Sequence, residues 1–210
     1  MHFAKALPEL ISAAVLAALW IEPQRFDISW FRAGALALLL EFFAIHAGGF
    51  MAMTVTDPEV PKRTRTLRLL GWTAGYLAFV SLFALGFDAW WMVPAFAWFC
   101  FSKLQAIWMG GEITERDRSH AVVSWALSVA VFLGSVAATA ILDVPMLGAG
   151  PEIRDAAGFD GNSTGLWEVE PHRAIAGAVL YFTIMGLSRP LFARSFAVRG
   201  NSNAGAPRVS

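Results

Sequence analysis

Long uncharged stretches recur along this chain at lengths that suit a lipid bilayer better than a soluble core. From Leu69 to Phe87 only apolar and small residues with a few hydroxyls occur, and the same holds from Ala121 to Leu142. As helices, both are long enough to cross ~30 Å of hydrocarbon. Reading the rest of the pattern the same way predicts six spans near 7–22, 33–54, 69–87, 89–110, 121–142 and 174–193. The first has the shortest core, with Pro8 and Glu9 forming a first helical turn at headgroup level. Lys5 ahead of an apolar run also resembles a signal peptide, but bulky Trp20, Ile21 and Glu22 stand where small residues would mark cleavage. The segment is therefore read as a retained helix.

Between spans the polar residues set the topology. With the N-terminus inside, inner segments collect Lys5, Lys62, Arg63, Arg65, Arg68, Arg116, Arg118, Arg189, Arg194, Arg199 and Arg208, and outer segments hold only Arg25, Arg32, Arg154 and Arg173. This asymmetry is what the positive-inside rule demands. It puts both termini in the cytoplasm of a plasma membrane of the bacterial inner-membrane kind. Trp30 and Phe31, and Trp90 with Trp91, fall where aromatic rings anchor at the outer interface. Only Asp88 separates spans three and four and about ten residues join four to five, so each pair is expected to pack antiparallel. Residues 143–172 read as an acidic external loop with room for a short helix, and 194–210 as a flexible tail. The predicted fold is a single all-α transmembrane bundle over 1–193.

Composition agrees: 57% of residues are hydrophobic, 15% are charged and the formal net charge is zero. No charge excess points to nucleic acid, so the expected partners are the bilayer, a small solute, ion or proton, and another membrane protein. Cys100 is the single cysteine and cannot form an intramolecular disulfide. Phosphate-loop, HExxH, GxSxG and CxxC patterns are missing, which discounts the common soluble chemistries. Facing histidines for a haem are missing too, and no cofactor is expected. Glu168, Glu170 and His172 beside Trp167 would suit a divalent ion, although a solvated acidic loop explains them without one. The triplet Asn162-Ser163-Thr164 matches a glycosylation acceptor, a pattern common by chance.

Candidate chemistry lies inside the spans, where a charge costs several kcal/mol and normally faces the bundle interior. Glu41 lies about 13 Å along the second span from Arg32, near the bilayer middle, and His46 and Lys103 both fall about 21 Å from the outer side. Glu41 and His46 are ~140° apart around their helix, so they do not form a metal pair. Together with Tyr181 they form the candidate intramembrane site. A midplane carboxyl that exchanges a proton, with His46 as relay, suits a small proton-coupled carrier or channel-like protein. The alternative is a non-catalytic accessory or assembly subunit: Lys103 snorkels, Glu41 stays neutral and bonded to Tyr76 or Tyr181, and His46 packs. A carrier should leave a polar cavity reaching Glu41, a subunit should leave an apolar or aromatic flank exposed, and an enzyme should gather further polar groups around His46. An intramembrane enzyme lacks a nucleophile or metal constellation, so the reading leans away from catalysis.

Small residues complete the pattern. Gly48-Gly49, and Gly71 with Gly75, are expected to let helices approach closely. Ser124, Ser128, Ser135 and Thr139 give the fifth span one weakly polar stripe that glues helices.

Overall fold

A computed structural model describes residues 6–57, 59–109, 114–159, 161 and 164–203. Among them every element is helical: α1 Leu7–Ile21, a 3-10 turn Pro23–Arg25, α2 Ile28–Val55, α3 Lys62–Gly86, α4 Met92–Met109, α5 Glu115–Ile141, α6 Pro151–Ala156, α7 Leu166–Val169 and α8 Pro171–Asn203. Three stretches, Ile28–Val55, Lys62–Gly86 and Asp117–Ile141, are long and apolar enough to cross a membrane, and Leu7–Ile21 is a shorter apolar helix. Each of the six expected spans lies on a helix. The connection between α5 and α8 carries two short helices, α6 and α7, and α8 continues to Asn203. Lys5, Asn162, Ser163 and residues 204–210 lie outside the described residues.

Local sequence explains where these helices begin and end. Asp27 caps α2, its carboxylate accepting the Ser29 amide at 2.9 Å, and hydrogen bonding from Ser29 lowers its pKa. Thr114 and Asp117 form a reciprocal capping box at the start of α5, with Thr114 N to Asp117 Oδ2 at 3.0 Å and Asp117 N to Thr114 Oγ1 at 3.2 Å. α3 ends in a Schellman turn: Ala89 N donates to Ala84 O at 2.8 Å and Asp88 N to Leu85 O at 3.4 Å. Asp88 takes the left-handed position at φ 48°, which a short acidic side chain tolerates better than most. That turn lets α4 fold back within a few residues, and α3 packs against α4 as the short connection predicts.

The chain divides into two compact units, Leu36–Leu133 and Met1–Ala35 with Gly134–Ser210. In the first, Phe43, Ala47 and Met51 of α2, Leu69 and Val80 of α3, and Met92, Phe96, Cys100 and Ile107 of α4 form a buried apolar cluster. Two basic residues hold carbonyls at helix ends. Lys62 Nζ donates to Trp108 O at 2.9 Å near the end of α4, and Arg65 Nη1 donates to Val55 O at 3.0 Å at the end of α2. Cations there satisfy carbonyls without an intrahelical partner and complement the negative end of the helix dipole.

The second unit packs α1 on α8. A methyl group at Gly186 would lie 2.8 Å from Leu10 Cδ2, so the Leu10 side chain would have to shift to admit one. Arg173 closes the end of α5, its Nη1 donating to Thr139 O at 2.9 Å and Leu142 O at 2.7 Å while its Nε pairs with Glu170. The start of the connection after α5 is tied down as well. Trp20 Nε1 donates to Pro145 O at 3.0 Å, Gly148 N donates to Trp20 O at 3.2 Å, and Gln24 Nε2 donates to Gly148 O at 3.3 Å. His172, 2% exposed, places Nε2 at 3.2 Å from Val144 O. A carbonyl only accepts, so the neutral imidazole carries its proton on Nε2.

Burial lowers the His172 pKa from 6.5, against the raising influence of Glu170, the Val144 hydrogen bond and Asp143, with Arg173 adding to the lowering. Between the lowered folded value and 6.5 the unfolded chain binds a proton that the folded chain excludes, so stability falls as pH drops through that window. Melting curves in detergent from pH 7.5 to 5 are expected to show a falling midpoint in the parent and a shallower fall in His172→Gln. Equal slopes would remove His172 from the account.

Candidate functional site

The residues singled out from the sequence are divided between the two units. Glu41, His46 and Lys103 belong to the unit Leu36–Leu133, and Tyr181 belongs to the other. Tyr181 is buried there, edge-on to Phe182 at 5.1 Å. Glu41 is half-buried and His46 is exposed, as their ~140° separation around α2 requires. Lys103 is half-buried with Nζ 5.1 Å from the Phe99 ring centroid, within the range of a cation–π contact.

His46 has the most distinctive surroundings. Its ring stacks on Phe42 at 5.7 Å and 22°, meets Phe50 edge-on at 5.8 Å, and meets Tyr76 of α3 at 6.2 Å. Phe50 in turn stacks on Trp72 at 4.9 Å and 26°, and Trp72 lies 6.3 Å from Tyr76. The α-helical period explains the grouping: Phe42, His46 and Phe50 are successive i, i+4 neighbours on α2, as are Trp72 and Tyr76 on α3. Phe42, Phe50 and Trp72 are exposed. Among the described residues the imidazole makes ring contacts and no hydrogen bond. An imidazole in a span without a hydrogen-bond partner costs about 1–3 kcal/mol.

The ring system continues inward from this face. Tyr76 contacts Phe96 at 6.2 Å and Phe96 contacts Phe99 at 5.7 Å, leading to Lys103. On the other side Phe42 contacts Phe43, which meets Phe79 and Phe83. Sequence reading picked out the ionisable residues and passed over Phe42, Phe50 and Trp72, whose spacing was visible but reads as ordinary apolar helix. Only the pairing of α2 with α3 brings the two sets of rings together.

Behind this face, α2 and α5 are held at close quarters. Trp125 Nε1 donates to Ile45 O at 3.0 Å, and a methyl group at Gly49 would come within 2.7 Å of the Trp125 ring, whereas one at Gly48 would meet Phe99 at an ordinary 3.6 Å. Thus only the second glycine of the pair is required for the approach. The polar stripe of α5 turns partly onto its own backbone, with Ser128 donating to Ser124 O and Thr139 to Ser135 O, both at 3.0 Å.

In the loop between α5 and α8 the polar side chains proposed as ligands have other partners. Glu170 is engaged by Arg173 and His172 by Val144, and among the described residues no three His, Cys, Asp or Glu side chains gather as ligands. No protein-family model, curated protein or solved structure matches the chain, so its function rests on the physical reading of these sites.

Proposed function

We propose that this chain is a six-span membrane protein, with both termini on the cytoplasmic side, that serves as an accessory or assembly subunit and docks a partner's membrane helix on the aromatic face around His46. One observation carries the reading: a span imidazole is exposed among Phe42, Phe50, Trp72 and Tyr76, with no hydrogen bond among the described residues. Exposed apolar residues suit any lipid-facing surface, but a bare imidazole does not. A partner helix offering a hydroxyl or amide oxygen would satisfy it, and the surrounding rings supply contact area at low entropic cost. For the six-span topology, the support is the distribution of Lys and Arg together with α4 and α8 at the expected positions.

Blue-native electrophoresis of gently solubilised membranes tests this function. The parent chain is expected to migrate in an assembly larger than itself, and His46→Leu and Trp72→Ala to release it while keeping their helical circular dichroism. A parent that runs as a bare monomer would overturn the subunit reading.

A second reading, a proton-coupled carrier, is favoured by the half-buried Glu41 in the middle of a span. Its test is proton flux in sealed proteoliposomes under an imposed pH gradient. The carrier reading expects flux in the parent and its loss in Glu41→Gln; the subunit reading expects none in either.

A further inference from the structure

His46 shares its face with a second polar group. Tyr76 of α3 is half-buried there, and among the described residues it makes ring contacts with His46, Trp72 and Phe96 and no hydrogen bond. Its ring meets that of His46 edge-on at 67°, with centroids 6.2 Å apart, so a hydroxyl and an imidazole stand side by side without bonding each other. A phenol hydroxyl donates, and a neutral imidazole has one bare nitrogen that accepts. A surface holding both is complementary to its own copy. Next to this pair Phe50 stacks on Trp72 at 4.9 Å and 26°, Phe50 lying four residues after His46 and Trp72 four before Tyr76. The patch is therefore two layers deep, each made of one ring from α2 and one from α3.

We propose, resting on the docking reading above, that the partner helix belongs to a second copy of this chain: two protomers pack this face against itself about a two-fold axis along the membrane normal, and each Tyr76 hydroxyl donates to the bare imidazole nitrogen of its partner's His46. Two-fold contacts are the commonest in homo-oligomers, and they demand a surface that complements itself. Membrane insertion adds a condition of depth. An axis along the normal leaves every residue at its own depth, so only groups at matching depth meet across it. His46 and Tyr76 differ in depth by no more than the 6.2 Å between their rings. A carboxylate or ammonium on an unrelated helix would bring the cost of a charge into the bilayer, whereas phenol and imidazole satisfy each other as neutral groups.

Förster transfer between donor-tagged and acceptor-tagged copies in phosphatidylcholine vesicles, followed as the protein-to-lipid ratio is lowered, tests the proposal. The parent is expected to dimerise, and His46→Leu and Tyr76→Phe each to weaken the dimer about 10-fold. The double variant should be no weaker than either single one, because both residues serve the same bonds. Mixed dimers decide the geometry. His46→Leu paired with Tyr76→Phe keeps one of the two bonds and the parent paired with the double variant keeps none, although the two mixtures contain the same side chains. The first mixture is expected to associate about 3-fold more tightly. Equal association of the two, with helical circular dichroism of the double variant matching that of the single ones, would overturn the proposal. A parent that stays monomeric in vesicles yet runs in a larger assembly on the native gel would overturn the second copy as partner and leave the docking function standing. A parent monomeric in both would overturn both.

Discussion

Arg173→Ala is expected to destabilise the protein by about 2–4 kcal/mol. One guanidinium accepts three duties: it donates to Thr139 O and Leu142 O at the end of α5, and it pairs with Glu170. Its side chain is 14% exposed and that of Glu170 28%, so water replaces it poorly. Alanine leaves the two carbonyls short of a donor and the carboxylate without its cation. Lysine restores the charge but not the fork, so Arg173→Lys should fall between parent and alanine. Thermal melts of the three proteins in one detergent check the order. A midpoint for Arg173→Ala within a degree of the parent would show that this end of α5 is held by something else.

Gly49→Ala is the second large effect expected, at about 1–3 kcal/mol, and Gly48→Ala is its built-in control. The two positions are adjacent and chemically identical, yet the added methyl meets the Trp125 ring at 2.7 Å from one and Phe99 at 3.6 Å from the other. Trp125 cannot simply turn away, because doing so gives up its hydrogen bond to Ile45 O. The midpoint should drop in Gly49→Ala and stay near the parent value in Gly48→Ala. If Gly48→Ala were the more damaging of the two, the placement of α2 against α5 would be wrong.

Much of the helix layout was legible because the bilayer imposes a simple length rule on apolar runs. The stretches at 33–54, 69–87 and 121–142 lie on the three helices long and apolar enough to span, and the tight turn at Asp88 folds α4 onto α3. Helix ends were legible in principle: Thr114 followed three residues later by Asp117 is a capping signature, and Asp27 precedes an apolar run. Less was legible in the ring cluster around His46. Charge and polarity drew attention to Glu41, His46, Lys103 and Tyr181 as one site. Tyr181 belongs to a different unit from the other three, something that depth along a helix cannot reveal. The basic residues were read only as topology signals, since a sequence does not show which carbonyls Lys62, Arg65 and Arg173 will reach. The aromatic face needed two helices in register before Phe50 could stack on Trp72.

That face also offers a reason for its own composition. In a lipid-facing stripe, Leu or Ile would fill the surface at no polar cost, whereas His46 carries a donor and an acceptor. Stacking on Phe42 and edge contacts with Phe50 and Tyr76 hold the ring's orientation, which favours a partner that finds the imidazole already placed.

The central claim is that this face meets protein inside the membrane. Its most direct test is site-specific photo-crosslinking in native membranes, with a benzophenone side chain at Phe50 and, as control, at the exposed Leu82. A discrete protein adduct of one mass from position 50, lost when His46 is also changed to leucine and not formed from position 82, is the predicted result. Lipid adducts alone from both positions would contradict it and leave the His46 face turned to the bilayer.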